Sequence, residues 1–215
     1  MARAKQRARM PTRSLHADPR ATTLRHLYRG IDAFAISRQD ARAVKQSRGS
    51  DTYGELQPAA TLKLLEYLQL RRRDVFVDLG SGAGKVAIAA GLYTQVGRAR
   101  GVELSRERHA LACEAKARAL KERLISKRTC ELIHGDIRRT PLEDATVVYT
   151  CSTAFSTPFL MTIARRLARL PKLRCFASFR DLDPHPRFEL ADTLPLDVSW
   201  RRRAILYVYT PLSHL

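Results

Sequence analysis

The chain has 215 residues, 45% of them apolar, which suits one globular domain with a sizeable core and excludes a disordered polypeptide. No apolar run approaches the roughly 18 residues of a membrane span, and the basic start, MARAKQRARMPTR, lacks the apolar core of a secretory signal. Its four cysteines (Cys113, Cys130, Cys151, Cys175) are widely spaced without a CxxC pair, which argues against a zinc site and a secreted disulfide scaffold and for a reduced, intracellular compartment.

The formal net charge is +18, and such a chain calls for a polyanionic partner, nucleic acid first. Residues 1–48 hold 12 Lys/Arg against 3 Asp/Glu. Residues 1–20 read as a basic, disordered arm with Pro11 and Pro19, and residues 21–57 as a short, weakly patterned helical segment ending in a loop. Residues 58–215 read as the main folded domain.

After Pro58, AATLKLLEYLQL has the spacing of an amphipathic helix. Then strands and helices alternate. DVFVDL (74–79) is the first strand and 84–95 a helix; RARGVEL (98–104) is the second strand. Ser105 caps a helix running to about 124. CELIHGD (130–136) and ATVVYT (145–150) are strands three and four, FLMTIARRLARL (159–170) is a helix, and LRCFASF (173–179) is strand five. DPHPRFELADTLPLDVSW looks less regular, and RRRAILYVYT (201–210) reads as a strand again. This order predicts a Rossmann-like α/β fold. Its seven-stranded sheet is mostly parallel, with helices on both faces and an antiparallel edge.

The stretch DLGSGAGK (78–85) asks for a nucleotide-like ligand. A phosphate-binding loop would need glycine where Leu79 stands and Ser or Thr where Val86 stands. The dinucleotide fingerprint GxGxxG is one residue longer than Gly80-Ser81-Gly82-Ala83-Gly84. A loop that passes close to the methionine and ribose of S-adenosyl-L-methionine fits better, with Asp78 closing the strand before it. Glu103 ends strand two, where a carboxylate accepts from ribose hydroxyls, and Asp136 follows strand three, where one accepts from the adenine amino group. Three acids on one sheet edge suit a cationic sulfonium and repel pyrophosphate. These residues resemble the class I S-adenosylmethionine-dependent methyltransferases.

Further features narrow the acceptor. No NPPY-like motif follows strand four; that position reads YTCSTAF. Tyr53-Gly54-Glu55 lies in a loop upstream of strand one, and VSW (198–200) precedes Tyr207. Together with DLGSG, these resemble the disruptor-of-telomeric-silencing family, the nucleosomal histone-lysine methyltransferases that lack a SET domain. The resemblance implies a cofactor site of Tyr53, Gly54, Glu55, Asp78, Gly80, Ser81, Gly82, Gly84, Lys85, Glu103, Asp136 and Ile137. It also implies a lysine channel lined by Trp200 and Tyr207, a nuclear location, and a lysine of a core histone, histone three, as acceptor; Tyr53 and Phe155 are further candidate aromatic walls that would lower the lysine pKa. The basic arm would hold DNA phosphates, and no metal is called for.

There are departures from the family pattern. A pair of asparagines is replaced by Cys151-Ser152, which leaves Ser152 as a candidate hydroxyl. Lys85 stands for the usual glutamine, and Ile137 for an aromatic on the adenine. His134 is the nearest candidate base. An RNA methyltransferase shares the cofactor site and explains the charge equally well, but it does not explain the YGE loop. A non-catalytic binding module and a nicotinamide oxidoreductase are the weaker alternatives.

Overall fold

Phe76 and Val77 are adjacent in sequence and bury on opposite faces of one strand, so the sheet they belong to is covered on both sides. The computed structural model describes residues 18–126, 128–182 and 184–212. Among them, seven strands form one sheet: β1 (Val75–Leu79), β2 (Arg98–Glu103), β3 (Cys130–His134), β4 (Val147–Thr150), β5 (Cys175–Ser178), β6 (Phe188–Val198) and β7 (Arg201–Pro211). Their spatial order is β3-β2-β1-β4-β5-β7-β6. The first five are parallel; β7 runs antiparallel to β5, and β6 antiparallel to β7. The chain reverses its direction of travel across the sheet between β1 and β4. That switch opens a crevice at the carboxyl ends of the strands.

Among the described residues, six α-helices surround the sheet: α1 (Pro19–Leu27), α2 (Arg38–Gln46), α3 (Pro58–Leu68), α4 (Lys85–Tyr93), α5 (Arg106–Lys121) and α6 (Thr157–Leu167). On α6, Leu160, Ile163, Ala164 and Leu167 form one apolar stripe and pack with Val77, Leu79, Val148 and Phe176. The opposite face carries α3 and α4, whose Leu64, Leu65, Ala89 and Ala90 pack with Phe76, Ala99 and Tyr149. Leu27, Ile88, Ala115 and Ala119 join α1, α4 and α5. As its sequence predicts, Ser105 caps α5, accepting from the Arg108 amide at 3.1 Å.

Two expectations need correction. The segment read as irregular holds β6, an eleven-residue edge strand. Its alternation is blurred because one side of an edge strand meets solvent, because the register shifts between Leu190 and Asp192, and because Pro195, tolerable at an edge, breaks the pattern. The amino-terminal boundary also moves. Asp18 caps α1, accepting from the Arg20 amide at 2.8 Å, and Pro19 opens the helix, so residues 18–20 are not part of an arm. The rest of the expected arm, residues 1–17, lies outside the described residues.

Candidate active site

At the switch point the chain turns sharply after β1. Gly80 and Gly82 adopt φ of +77° and +53°, the left-handed region that a side chain disfavours. The amides of Gly80 and Ser81 both donate to the Val102 carbonyl, at 2.9 and 3.0 Å, which ties the turn to β2. A cavity of about 210 Å³ opens above it. Gly80 forms its floor, with Glu103 from β2, Asp136 and Ile137 from beyond β3, and Cys151 and Phe155 from beyond β4. Tyr53 and Gly54 line it as well.

Glu103 is buried, and its carboxylate accepts from the amides of Gly82 at 2.7 Å and Ser105 at 2.8 Å. Burial raises its pKa, against those two bonds. Asp78 is buried as well. Desolvation, with the charge of Glu103 adding to it, holds its pKa well above the usual carboxylate range, and its carboxylate takes no hydrogen bond among the described residues. Asp136 behaves differently. Desolvation pushes it up, but Arg138 outweighs that and leaves it below its ordinary value. The Arg138 guanidinium grips both carboxylate oxygens, with Nε at 2.9 Å from each, and reaches the Ser47 carbonyl at 2.6 Å. The Asp136 carboxylate is therefore already shared with Arg138.

The loop over the cavity is fastened on three sides. The Tyr53 hydroxyl donates to Glu55 at 2.9 Å, and Glu55 pairs with Lys85 at 2.5 Å. Lys85, nearly buried at the start of α4, is thus committed to the loop. Glu55 and Lys85 line a second cavity with Tyr28 and Phe34, not the one above the glycine turn. On the next side, Arg108 donates to the carbonyls of Ala33 at 3.1 Å and Asp51 at 2.7 Å, and its guanidinium lies 4.8 Å from the centre of the Tyr53 ring. On the third, the β6–β7 turn holds the loop through Ser199, whose amide donates to the Glu55 carbonyl at 2.8 Å.

Of the residues expected at the site, Tyr53, Gly54, Gly80, Glu103, Asp136, Ile137 and Phe155 line the first cavity. Asp78, Ser81, Gly82 and Gly84 shape the turn beneath it; the Ser81 side chain faces Gly101. Trp200 reaches the loop from outside, packing on Gly54 and lying 6.2 Å from Phe179. Tyr207 is half-buried on β7, beside Ser178 and Thr193. Ser152 is buried away from the cavity, its hydroxyl 2.7 Å from that of Ser178 and accepting from the Arg180 amide at 3.0 Å. His134 is exposed and bonds the Leu104 carbonyl at 3.1 Å. Arg108 and Arg138 are among the lining residues that carry no motif signal, and Cys151 lines the cavity from the position of the family's asparagine pair. Burial pushes the Cys151 thiol up to about 12, so at neutral pH it is an uncharged wall.

The sheet order and the cradle at its switch point define a Rossmann-like class I methyltransferase fold. Solved structures of that fold superimpose on the chain. A Salinibacter ruber RNA methyltransferase in complex with S-adenosyl-L-homocysteine is 21% identical, has a TM-score of 0.56, and covers 72% of this chain and 92% of its own. A putative RNA methyltransferase of Pyrococcus horikoshii is 14% identical with a TM-score of 0.59, covering 90% and 96%. The magnesium protoporphyrin IX methyltransferase of Synechocystis is 14% identical with a TM-score of 0.55, covering 88% and 96%. At these identities the likeness is one of fold.

The family is more specific. Residues 35–175 match the model of the histone methylation protein DOT1, and the chain belongs to that family. A Caenorhabditis elegans histone-lysine N-methyltransferase, H3 lysine-79 specific, is 39% identical over 56 residues, which make up 26% of this chain and 6% of that protein.

Proposed function

We propose that the protein transfers a methyl group from S-adenosyl-L-methionine to a lysine of a nucleosomal core histone, histone three, in the nucleus. The observation that carries this reading is the Tyr53-Gly54-Glu55 loop. Its Tyr53 and Gly54 line the cavity at the switch point, and it lies within the stretch that matches the histone methylation family.

The residues fit a cationic adenosine cofactor. Asp78 and Glu103 put two acids under the cavity, and Asp78 has a buried carboxylate without a hydrogen-bond donor among the described residues. A positive charge nearby relieves that burial. Bound there, the cofactor supplies an activated methyl group on a sulfonium. Glu103 and Asp136 would hold its adenosine, and the glycine turn would receive the rest.

The chain's own part is positioning and exclusion of water. A lysine ammonium titrates near ~10.4 and must lose a proton before it attacks, which costs about 4–5 kcal/mol at pH 7. Walls of low polarity disfavour the ammonium. Phe155, Phe159 and the protonated Cys151 supply such walls on the β4 side of the cavity. The basic arm at residues 1–17 is proposed to hold DNA phosphates beside the histone surface.

Mass spectrometry of nucleosomes incubated with the enzyme and S-adenosyl-L-methionine tests the reading. Methylated lysine on histone three supports it; methyl groups on other residue types or on no histone refute it.

A further inference from the structure

Two arginine triplets stand on the surface, Arg71–Arg73 and Arg201–Arg203, and all six side chains are exposed. The fold sends them to opposite ends of the sheet. Arg71–Arg73 precede β1, at the amino ends of the parallel strands and away from the cavity. Arg201–Arg203 open β7, which runs the other way. Ser178, the last residue of β5, pairs with Tyr207, so the first residues of β7 project beyond the carboxyl ends, where the cavity lies.

The hairpin tip is built to show all three. In an unbroken strand Arg202 would share a face with Ala204 and Leu206, which are buried. Here Leu196 pairs with Ala204 and Val198 with Arg201, so three steps of β7 oppose two of β6. Arg203 takes φ of +52° to make the bulge, a conformation disfavoured for any residue with a Cβ, and its amide donates to Asp197 at 2.8 Å. None of the three guanidinium groups has an acidic partner among the described residues, whereas Arg100 and Arg174 are paired with Asp144 and Asp74. The turn just before them touches the loop over the cavity: Ser199 bonds Glu55 and Trp200 lies on Gly54.

We infer that Arg201, Arg202 and Arg203 form a contact surface for the phosphate backbone of a nucleic-acid duplex at the rim of the active site. Guanidinium forks match phosphate oxygens, and a chain of net charge +18 favours an extended polyanion over a single acidic patch. The bulge holds the three arginines out before any partner arrives. This surface is separate from the amino-terminal arm and adds to the methyl-transfer reading without depending on it.

The test is binding without turnover. The full chain, an Arg201→Ala/Arg202→Ala/Arg203→Ala variant and an Arg71→Ala/Arg72→Ala/Arg73→Ala variant are titrated with labelled duplexes of DNA and of RNA, and with nucleosomes, across a salt series. Thermal melting confirms that each is folded. The hairpin variant should lose about tenfold or more in affinity, with a salt slope shallower by about 1 to 3, and an all-lysine version should recover most of it. The far-end variant should change less than about twofold, since it removes the same charge from the wrong place. A larger loss on DNA than on RNA, or the reverse, assigns the duplex. Equal losses from both variants, or none from the hairpin variant, overturn the inference. So does duplex binding that survives while nucleosome binding falls, because the partner is then an acidic protein face.

Discussion

The indole of Trp200 occupies the space that a side chain at residue 54 would need. A methyl carbon on Gly54 would lie 2.1 Å from ring carbon Cζ3 and 2.4 Å from Cε3. This contact joins the YGE loop to the β6–β7 turn. It explains why a glycine stands in the middle of the loop without any need for unusual backbone angles.

Gly54→Ala should therefore push Trp200 off the loop. The expected cost is about 1–3 kcal/mol, the usual range for overpacking. Trp200 is the single tryptophan, so its fluorescence reports the event directly. A lower denaturation midpoint with red-shifted emission is expected. An unchanged midpoint and emission would show that the contact does not hold the loop.

Gly80 and Gly82 should separate two costs. A Cβ on Gly80 meets Phe155 at an ordinary 3.4 Å, so Gly80→Ala loses about 1–2 kcal/mol from the left-handed backbone alone. A Cβ on Gly82 would lie 2.3 Å from Cε2 of Tyr53. Gly82→Ala adds the displacement of that ring, a further ~1–3 kcal/mol. Parallel urea melts of the two variants check the order, and equal losses would contradict it.

We expect Arg108 to act as a positioning residue, since it holds the Asp51 carbonyl and the Tyr53 ring at the cavity proposed for the cofactor. Arg108→Ala should raise the dissociation constant for S-adenosyl-L-homocysteine about tenfold, or 1.4 kcal/mol. Turnover at saturating cofactor should stay within about threefold of the parent. Arg108→Lys should not rescue, since one ammonium cannot reach both carbonyls and cover the ring. Full affinity in the lysine variant would reduce Arg108 to a mere charge.

The parts of this molecule that were legible in the sequence are those encoded locally. Strands β1 and β4 announce themselves as short β-branched runs, β2, β3 and β5 as short apolar stretches alternating with helical ones, and Asp78, Glu103 and Asp136 mark the carboxyl ends of successive strands. What was hidden depends on distant contacts. Arg108 and Arg138 sit in stretches that read as ordinary solvated helix and turn. Their roles exist only because the chain brings Ala33, Asp51 and Ser47 to them. Ser152 looked like a site hydroxyl from its place after β4, but a single turn of 3-10 helix over Ser152–Ala154 directs it toward Ser178. Lys85 reads as part of the cofactor site in place of a glutamine, and only the fold shows it paired with Glu55.

Asp78 should make stability depend on pH. Its folded pKa is raised, so between the ordinary value near ~3.9 and the folded value the native chain holds a proton that the unfolded chain has lost. Stability therefore falls as pH rises through that window, and the loss persists above it. Asp78→Asn removes the penalty. Its melting temperature should exceed that of the parent by a margin that grows with pH across that window, while cofactor affinity drops. A variant less stable than the parent at every pH would contradict this reading of the buried carboxylate.

The most direct test of the central claim is transfer of a radiolabelled methyl group from S-adenosyl-L-methionine to a panel of acceptors: intact nucleosomes, free core histones, bare DNA and total RNA. A Glu103→Ala enzyme, which lacks the carboxylate beneath the cavity, serves as the control. Label is expected on a core histone, strongest when the histone is in a nucleosome, and little from the control. Label on RNA with none on histones would contradict it and make the protein an RNA methyltransferase built on the same cofactor site.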